Sequence, residues 1–245
     1  MPFTPAHPAI VLPLLKSRYF SATGLIVGSV SPDFEYFFKA SVSGVHGHTL
    51  LGLFYFDLPV SIFLALTFHL LIKESLIGNL PALLQSRLQS LRVLDFKNYL
   101  RTHVLIFLAS ALVGAFLHIF WDSFTHNDRY FVNAISTLRT THIPYDGANY
   151  PLWYALQHLS TAVGLIIILI YLFKMDVKTD YTAHKPKFGY WLATIFLTVI
   201  FIYLRFTLFQ VKFEIGNVVV TVMSASMLSI CLLSLYVKLA LNRKS

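Results

Sequence analysis

The sequence predicts an all-α fold: a polytopic membrane bundle of five to six transmembrane helices, plus a basic amphipathic helix lying on the membrane surface. Three observations carry this reading. Hydrophobic residues make up 56% of the 245 and charged residues only 12%, about half the share usual in a soluble domain. Five apolar runs are long enough, or nearly so, to cross about 30 Å of hydrocarbon. The Lys and Arg residues lie mostly in the joins between those runs. The whole of 1–245 reads as a single integral membrane domain.

The elements follow in chain order. His7 lies between Ala6 and Pro8, where proline biases the chain toward extended structure. No cleaved signal peptide is expected, because the start lacks a basic region and Pro13 breaks its short apolar stretch. A weak run, Tyr19–Phe38, contains Ser29, Ser31, Pro32, Asp33 and Glu35. It either enters the bilayer only partway or is covered by other helices. Gly24 and Gly28 form a small-xxx-small pair suited to close packing on a neighbour. Ser31-Pro32-Asp33 is a good helix start. That capping role and metal ligation are equally compatible with Asp33.

His46 and His48 precede the run Leu50–Ile72, and Asp57 falls inside it, two residues before Pro59. An intramembrane acid is costly and usually partnered. In the polar stretch 74–102, Leu80, Leu84, Leu88 and Leu91 share one helical face while Arg87, Arg92, Lys97 and Arg101 supply charge. The run His103–Trp121 leads into His118, Asp122 and His126, spaced four apart and so on one helical stripe. A second polar stretch, 122–154, precedes the run Ala155–Phe173, which opens with Gln157 and His158. Phe188–Leu204 and Val218–Leu241 complete the set without a recognisable motif.

Charge sets the expected orientation. Lys73, Arg87, Arg92, Lys97, Arg101, Lys174, Lys178, Lys185, Lys187, Lys238, Arg243 and Lys244 fall on one side of the alternating runs. The other side holds Lys39, Arg129, Arg139, Arg205 and Lys212. The positive-inside rule places the larger group in the cytoplasm. The C-terminus is then cytoplasmic, in a cytoplasmic (inner) membrane. The net charge of +8 therefore implies membrane lipid as partner and no nucleic acid. The lone cysteine, Cys231, excludes an intrachain disulfide.

This orientation gathers His46, His48, His118, Asp122, His126, Gln157 and His158 at the outer face. Asp33 and Glu35 join them if the weak run passes outward. Imidazoles and carboxylates on converging stripes can hold a divalent cation, zinc above all. Either both of His46 and His48 ligate through an extended turn at Gly47, or one ligates and the other supports it. Asp57, Gln157 and His158 are placed around the ligands or facing substrate. With residues 1–18 cytoplasmic, His7 is structural; with a re-entrant first run, it reaches the site.

Several of these segments resemble a bacterial family of multi-pass membrane proteins of unknown function. They are Met1-Pro2-Phe3-Thr4 with His7-Pro8, Gly28-Ser29-Val30-Ser31-Pro32-Asp33-Phe34-Glu35-Tyr36, His46-Gly47-His48-Thr49, Asp57-Leu58-Pro59, Trp121-Asp122-Ser123-Phe124-Thr125-His126 and Gln157-His158. All lie within 1–170. The pattern is distantly similar to inner-membrane metal-dependent hydrolases, and more remotely to the zinc-dependent phospholipase C and nuclease group. That resemblance implies His7, Asp33, His46 or His48, His118 and Asp122 as ligands, with His126 less firmly among them.

Two functions are compatible with the chain. One is a metal-dependent hydrolase acting on a lipid or lipid-linked phosphoester, with Glu35 or another non-ligating carboxylate accepting the proton. The other is a non-enzymatic membrane protein whose polar cluster holds a structural metal or packs helices together.

Overall fold

Five helical segments of a computed structural model are long and apolar enough to cross a membrane: Leu53–Gly78, Phe96–Ala134, Leu152–Lys174, Phe188–Leu208 and Ile215–Leu241. Each overlaps one of the five apolar runs, and Phe96–Ala134 extends well beyond His103–Trp121 at both ends. The structure describes residues 3–178, 182–209 and 211–242. Met1 and Pro2 of the N-terminal motif, and Arg243 and Lys244 of the basic set, lie outside the described residues.

The weak run is not among these five. A 3₁₀ helix, Thr4–Leu14, leads to α1 (Ala22–Val30), a 3₁₀ turn Ser31–Asp33 and the six-residue α2 (Phe34–Lys39). The three pieces from Ala22 to Lys39 follow one another without a break. The 3₁₀ helix packs against α1, so the two form a hairpin whose ends meet. Pro8 and Pro13 sit inside the 3₁₀ helix and cannot donate backbone hydrogen bonds there. This is why Thr4–Leu14 is helical yet not α-helical, where an extended stretch was expected.

The chain forms two compact units, each assembled from three stretches. The first comprises Met1–Asp33, Val45–Ile62 and His103–Lys174. Its frame is α6 (Phe96–Thr125, kinked at His103), followed by α7 (Tyr130–Ala134), α8 (Ser136–Thr140) and α9 (Leu152–Lys174). The hairpin lies on α6 and α9. An added Cβ at Gly24 would come 2.6 Å from the Phe107 carbonyl oxygen, and one at Gly28 would strike the Ala111 backbone. Gly114 on α6 returns the close approach against Leu25. The expected small-xxx-small contact is therefore real, with α6 as the neighbour. Ser21 caps α1 by accepting from the Gly24 amide, and its own amide donates to Ser110 Oγ at 2.8 Å.

Part of the stretch 122–154 is a β-hairpin. β1 (His142–Tyr145) pairs antiparallel with β2 (Ala148–Pro151). Asp146 and Gly147 both have positive φ, 49° and 74°, as a two-residue type I′ turn requires.

The second unit comprises Phe34–Gly44, Phe63–Thr102 and Met175–Ser245. α10 (Phe188–Leu208) pairs with α11 (Ile215–Asn242). Between α4 (Lys73–Gly78) and α6 runs α5 (Ala82–Val93), the expected amphipathic helix. Leu80, Leu84, Leu88 and Leu91 are all half-buried. Lys97 and Arg101 belong to α6 instead. Gln85 on α5 is fully buried. Its amide nitrogen donates to the His184 carbonyl and its oxygen accepts from the His184 amide, at 2.7 and 2.9 Å. The Lys178 amide donates to the Ser86 carbonyl, and the Lys187 amide to Asn79 Oδ1. Two basic connections, about a hundred residues apart in sequence, thereby become one polar layer.

Candidate metal centre

The site lies in the first unit, where the hairpin's two ends meet α6 and the Val45–Thr49 turn. Asp33 closes the 3₁₀ turn after α1. His118 and Asp122 project from α6 one helical turn apart. His48 is delivered by its turn, and Gly47 lets that turn press on the Pro32 backbone, where any Cβ would collide. Asp33 is 1% exposed, His118 0%, Asp122 4% and His48 8%.

One atom from each of the four forms a tight group. His48 Nε2 lies 3.3 Å from Asp33 Oδ1 and 3.4 Å from Asp122 Oδ2. His118 Nε2 lies 3.6 Å from Asp33 Oδ1, 3.5 Å from Asp122 Oδ2 and 3.3 Å from His48 Nε2. A tetrahedral ion with N and O donors at about 2.0–2.2 Å spaces neighbouring donors about 3.3–3.6 Å apart. Five edges of such a tetrahedron are thus present. The His118 tautomer is suited to ligation as well. Nδ1 lies 2.8 Å from the Ser29 carbonyl, and a hydrogen on Nδ1 leaves the Nε2 lone pair directed at the group.

Electrostatics keep Asp33 ionised and favour a charged His48. Burial works to raise the Asp33 pKa, but His118, His48 and His7 outweigh it and hold the carboxyl well below its usual range. Burial works to lower His48, and hydrogen bonds to Asp122 and Asp33 outweigh that, so its pKa stands above the ordinary value.

Around the four stand other residues. Thr4 Oγ1 donates to Asp33 Oδ2 at 2.5 Å. His7 Nε2 lies 3.1 Å from Asp122 Oδ1, and its ring stacks on His118 with centroids 3.7 Å apart. His126 Nδ1 lies 3.4 Å from the same Asp122 oxygen. Arg129 donates to the His48 carbonyl at 2.9 Å, anchoring the turn. Thr4 and Arg129 carried no role in the sequence reading. The signal for Thr4 was its i, i+3 spacing to His7, since 3₁₀ residues so spaced eclipse.

Not every expected residue arrives. His46 is exposed and its Nδ1 lies 3.0 Å from the Tyr55 hydroxyl, outside the group. The backbone at 45–50 turns instead of extending, so residues two apart do not point alike. Glu35 is buried and forms an ion pair with Lys39 at 2.6 Å, and it is not one of the four clustered donors. Asp57 is fully buried in the π-helical segment Leu53–Asp57, and its carbonyl accepts from Ser61. Gln157 is buried, and its carbonyl accepts from Ser160 and Thr161. His158 is exposed and packs edge-on to Tyr154. Beside His7 runs a narrow, mostly apolar cleft lined by Ala6, Ala9, Ile10, Trp121 and Gly164.

Comparison with curated proteins and with solved structures finds no match. No characterised relative therefore bears on the hydrolase resemblance. One family model matches residues 1–235 and so includes helices in which no motif was recognised. The chain belongs to that family, described as a domain of unknown function, DUF4184.

Proposed function

We propose that this protein is a membrane-embedded metalloprotein in which Asp33, His48, His118 and Asp122 hold a divalent cation, with zinc the best fit to two imidazoles and two carboxylates. The five tetrahedral edges carry this reading.

The reaction that suits the site is hydrolysis of a phosphoester on a lipid or lipid-linked substrate. A bound zinc ion lowers the pKa of a coordinated water to about 7. Zinc held by these four residues would supply a water acidic enough to ionise near neutrality, so that Glu35, paired with Lys39, would not be needed as the base. Trp121, Phe124, Tyr130 and Trp153 suit a membrane interface. The distant likeness of the motifs to metal-dependent hydrolases supports the same chemistry. A second reading is favoured by the ligand count. Four protein donors close a tetrahedral shell, as structural ions prefer, whereas catalytic zinc keeps one position open.

The test is metal content of the purified protein together with metal-dependent cleavage of a chromogenic phosphodiester. Bound metal with cleavage abolished by a chelator supports the hydrolase. Bound metal without cleavage of that probe or of lipid phosphoesters leaves the structural ion. Absence of bound metal after reloading ends both.

A further inference from the structure

The two oxygens of Asp122 face different partners. Oδ2 belongs to the tetrahedral group with Asp33, His48 and His118. Oδ1 faces His7 Nε2 at 3.1 Å and His126 Nδ1 at 3.4 Å. His126 Nδ1 also lies 3.2 Å from the Asp122 carbonyl and 3.2 Å from Thr125 Oγ1.

His7 cannot share the first ion. A ring nitrogen donates through a lone pair in the plane of its ring. His7 and His118 are stacked, 15° from parallel, with centroids 3.7 Å apart. Both present Nε2 to Asp122, one to each oxygen. In-plane lone pairs of two stacked rings run side by side and do not converge. An ion bound in the plane of His118 therefore lies about one ring spacing from an ion bound in the plane of His7. That offset matches the roughly 3.5–4 Å between the metals of two-ion hydrolytic sites.

Both rings also keep a nitrogen that an ordinary polar seam would satisfy. His7 Nδ1 and His126 Nε2 are buried without a hydrogen-bond partner. The His7 side chain is only 2% exposed, and its Nδ1 faces Asp33 Oδ2 at 4.0 Å. His126 is more open, with its side chain 20% exposed.

We infer that Asp122 bridges two divalent cations: one enclosed by Asp33, His48, His118 and Asp122 Oδ2, the other held by His7, His126 and Asp122 Oδ1. The inference rests on the metal reading above. It resolves the difficulty of the closed shell. The first ion has four protein ligands and is sealed. The second has three and keeps a position for water, as catalytic zinc does. It also adjoins the cleft beside His7.

The test is metal stoichiometry. The detergent-purified protein is stripped, equilibrated with Zn²⁺ and analysed for metal per chain. Two ions per wild-type chain are expected, falling to one in His126→Ala and in His7→Gln. Because His126 is partly exposed, its truncation leaves the packed hairpin untouched and keeps the test readable if His7→Gln misfolds. Loading with Mn²⁺ gives an independent readout: the electron paramagnetic resonance spectrum should show two coupled ions in wild type and an isolated ion in His126→Ala. One ion in wild type, with both histidine variants unchanged, overturns the bridge while leaving the metal reading intact. No ion in wild type overturns both.

Discussion

Asp122 is the residue on which the site turns, because its carboxylate contacts four histidines. Asp122→Asn keeps volume and most hydrogen bonding but removes the anionic charge. His118→Ala removes a donor outright. Both should lower zinc content strongly. Asp146→Asn, in the exposed turn of the β-hairpin, should not, since asparagine tolerates positive φ there. If the cluster were only a seam, Asp122→Asn should shift stability by about 1 kcal/mol, the scale of one hydrogen bond. Loss of a bound ion should cost more, because binding free energy adds to folding free energy. Thermal unfolding with and without a chelator separates these outcomes. Acidity supplies a second prediction through His48. Its folded pKa is raised, so in metal-free protein its ion pairs stabilise fully below the ordinary value of about 6.5 and are lost as pH rises through the raised value. Metal needs the neutral ring, so zinc binding has the opposite sign and weakens as pH falls through that same value. Asp33, held low, stays ionised throughout this window. Stabilisation by zinc, measured as the midpoint difference with and without chelator, should therefore shrink on acidification. A difference that grew instead would remove His48 from the ligand set.

At the scale of elements, the hairpin of the 3₁₀ helix and α1 is the device that assembles the centre. It brings His7 and Asp33, 26 positions apart, to one end of α6. Its seat depends on glycine at the contact with Ala111. Gly28→Leu should force the hairpin off α6, break the contact between His118 and the Ser29 carbonyl, and reduce bound zinc. The cost in stability should reach or exceed the roughly 1–3 kcal/mol usual for overpacking, because the obstruction is backbone. Gly189→Ala in α10 is the control. A Cβ there meets nothing within 4 Å, so the melting temperature and zinc content should hold. Periodicity alone reveals the His118–Asp122 stripe, because a helix repeats every 3.6 residues whatever surrounds it. The hairpin was harder to see. Gly24 and Gly28 announced close packing but not its partner, and the prolines suggested extended structure where a 3₁₀ helix forms. The type I′ turn at Asp146-Gly147 was legible from its dipeptide, but the surrounding polarity suggested only a loop.

At the scale of the molecule, the charge pattern predicts that a tag at Ser245 is cytoplasmic. It also predicts that a cysteine at Asn127, placed in a Cys231→Ser background, reacts with an impermeant thiol reagent from outside the cell. Labelling only after lysis would invert the topology and move the centre to the cytoplasmic face. The binding of Gln85, Ser86 and Asn79 to 178–187 supports a common side for those two basic connections. By itself the sequence determined the membrane class and the five long helices, because hydrocarbon admits only segments that satisfy their own backbone over about 30 Å. It also marked His118 and Asp122 as neighbours, through local helical geometry. Only the tertiary structure decided that His48 and not His46 joins them, and that His7 comes to Asp33 and Asp122. Those outcomes depend on how closely separate backbones approach at Gly28, Gly47 and Gly114, and such contacts between distant segments leave no period in the chain.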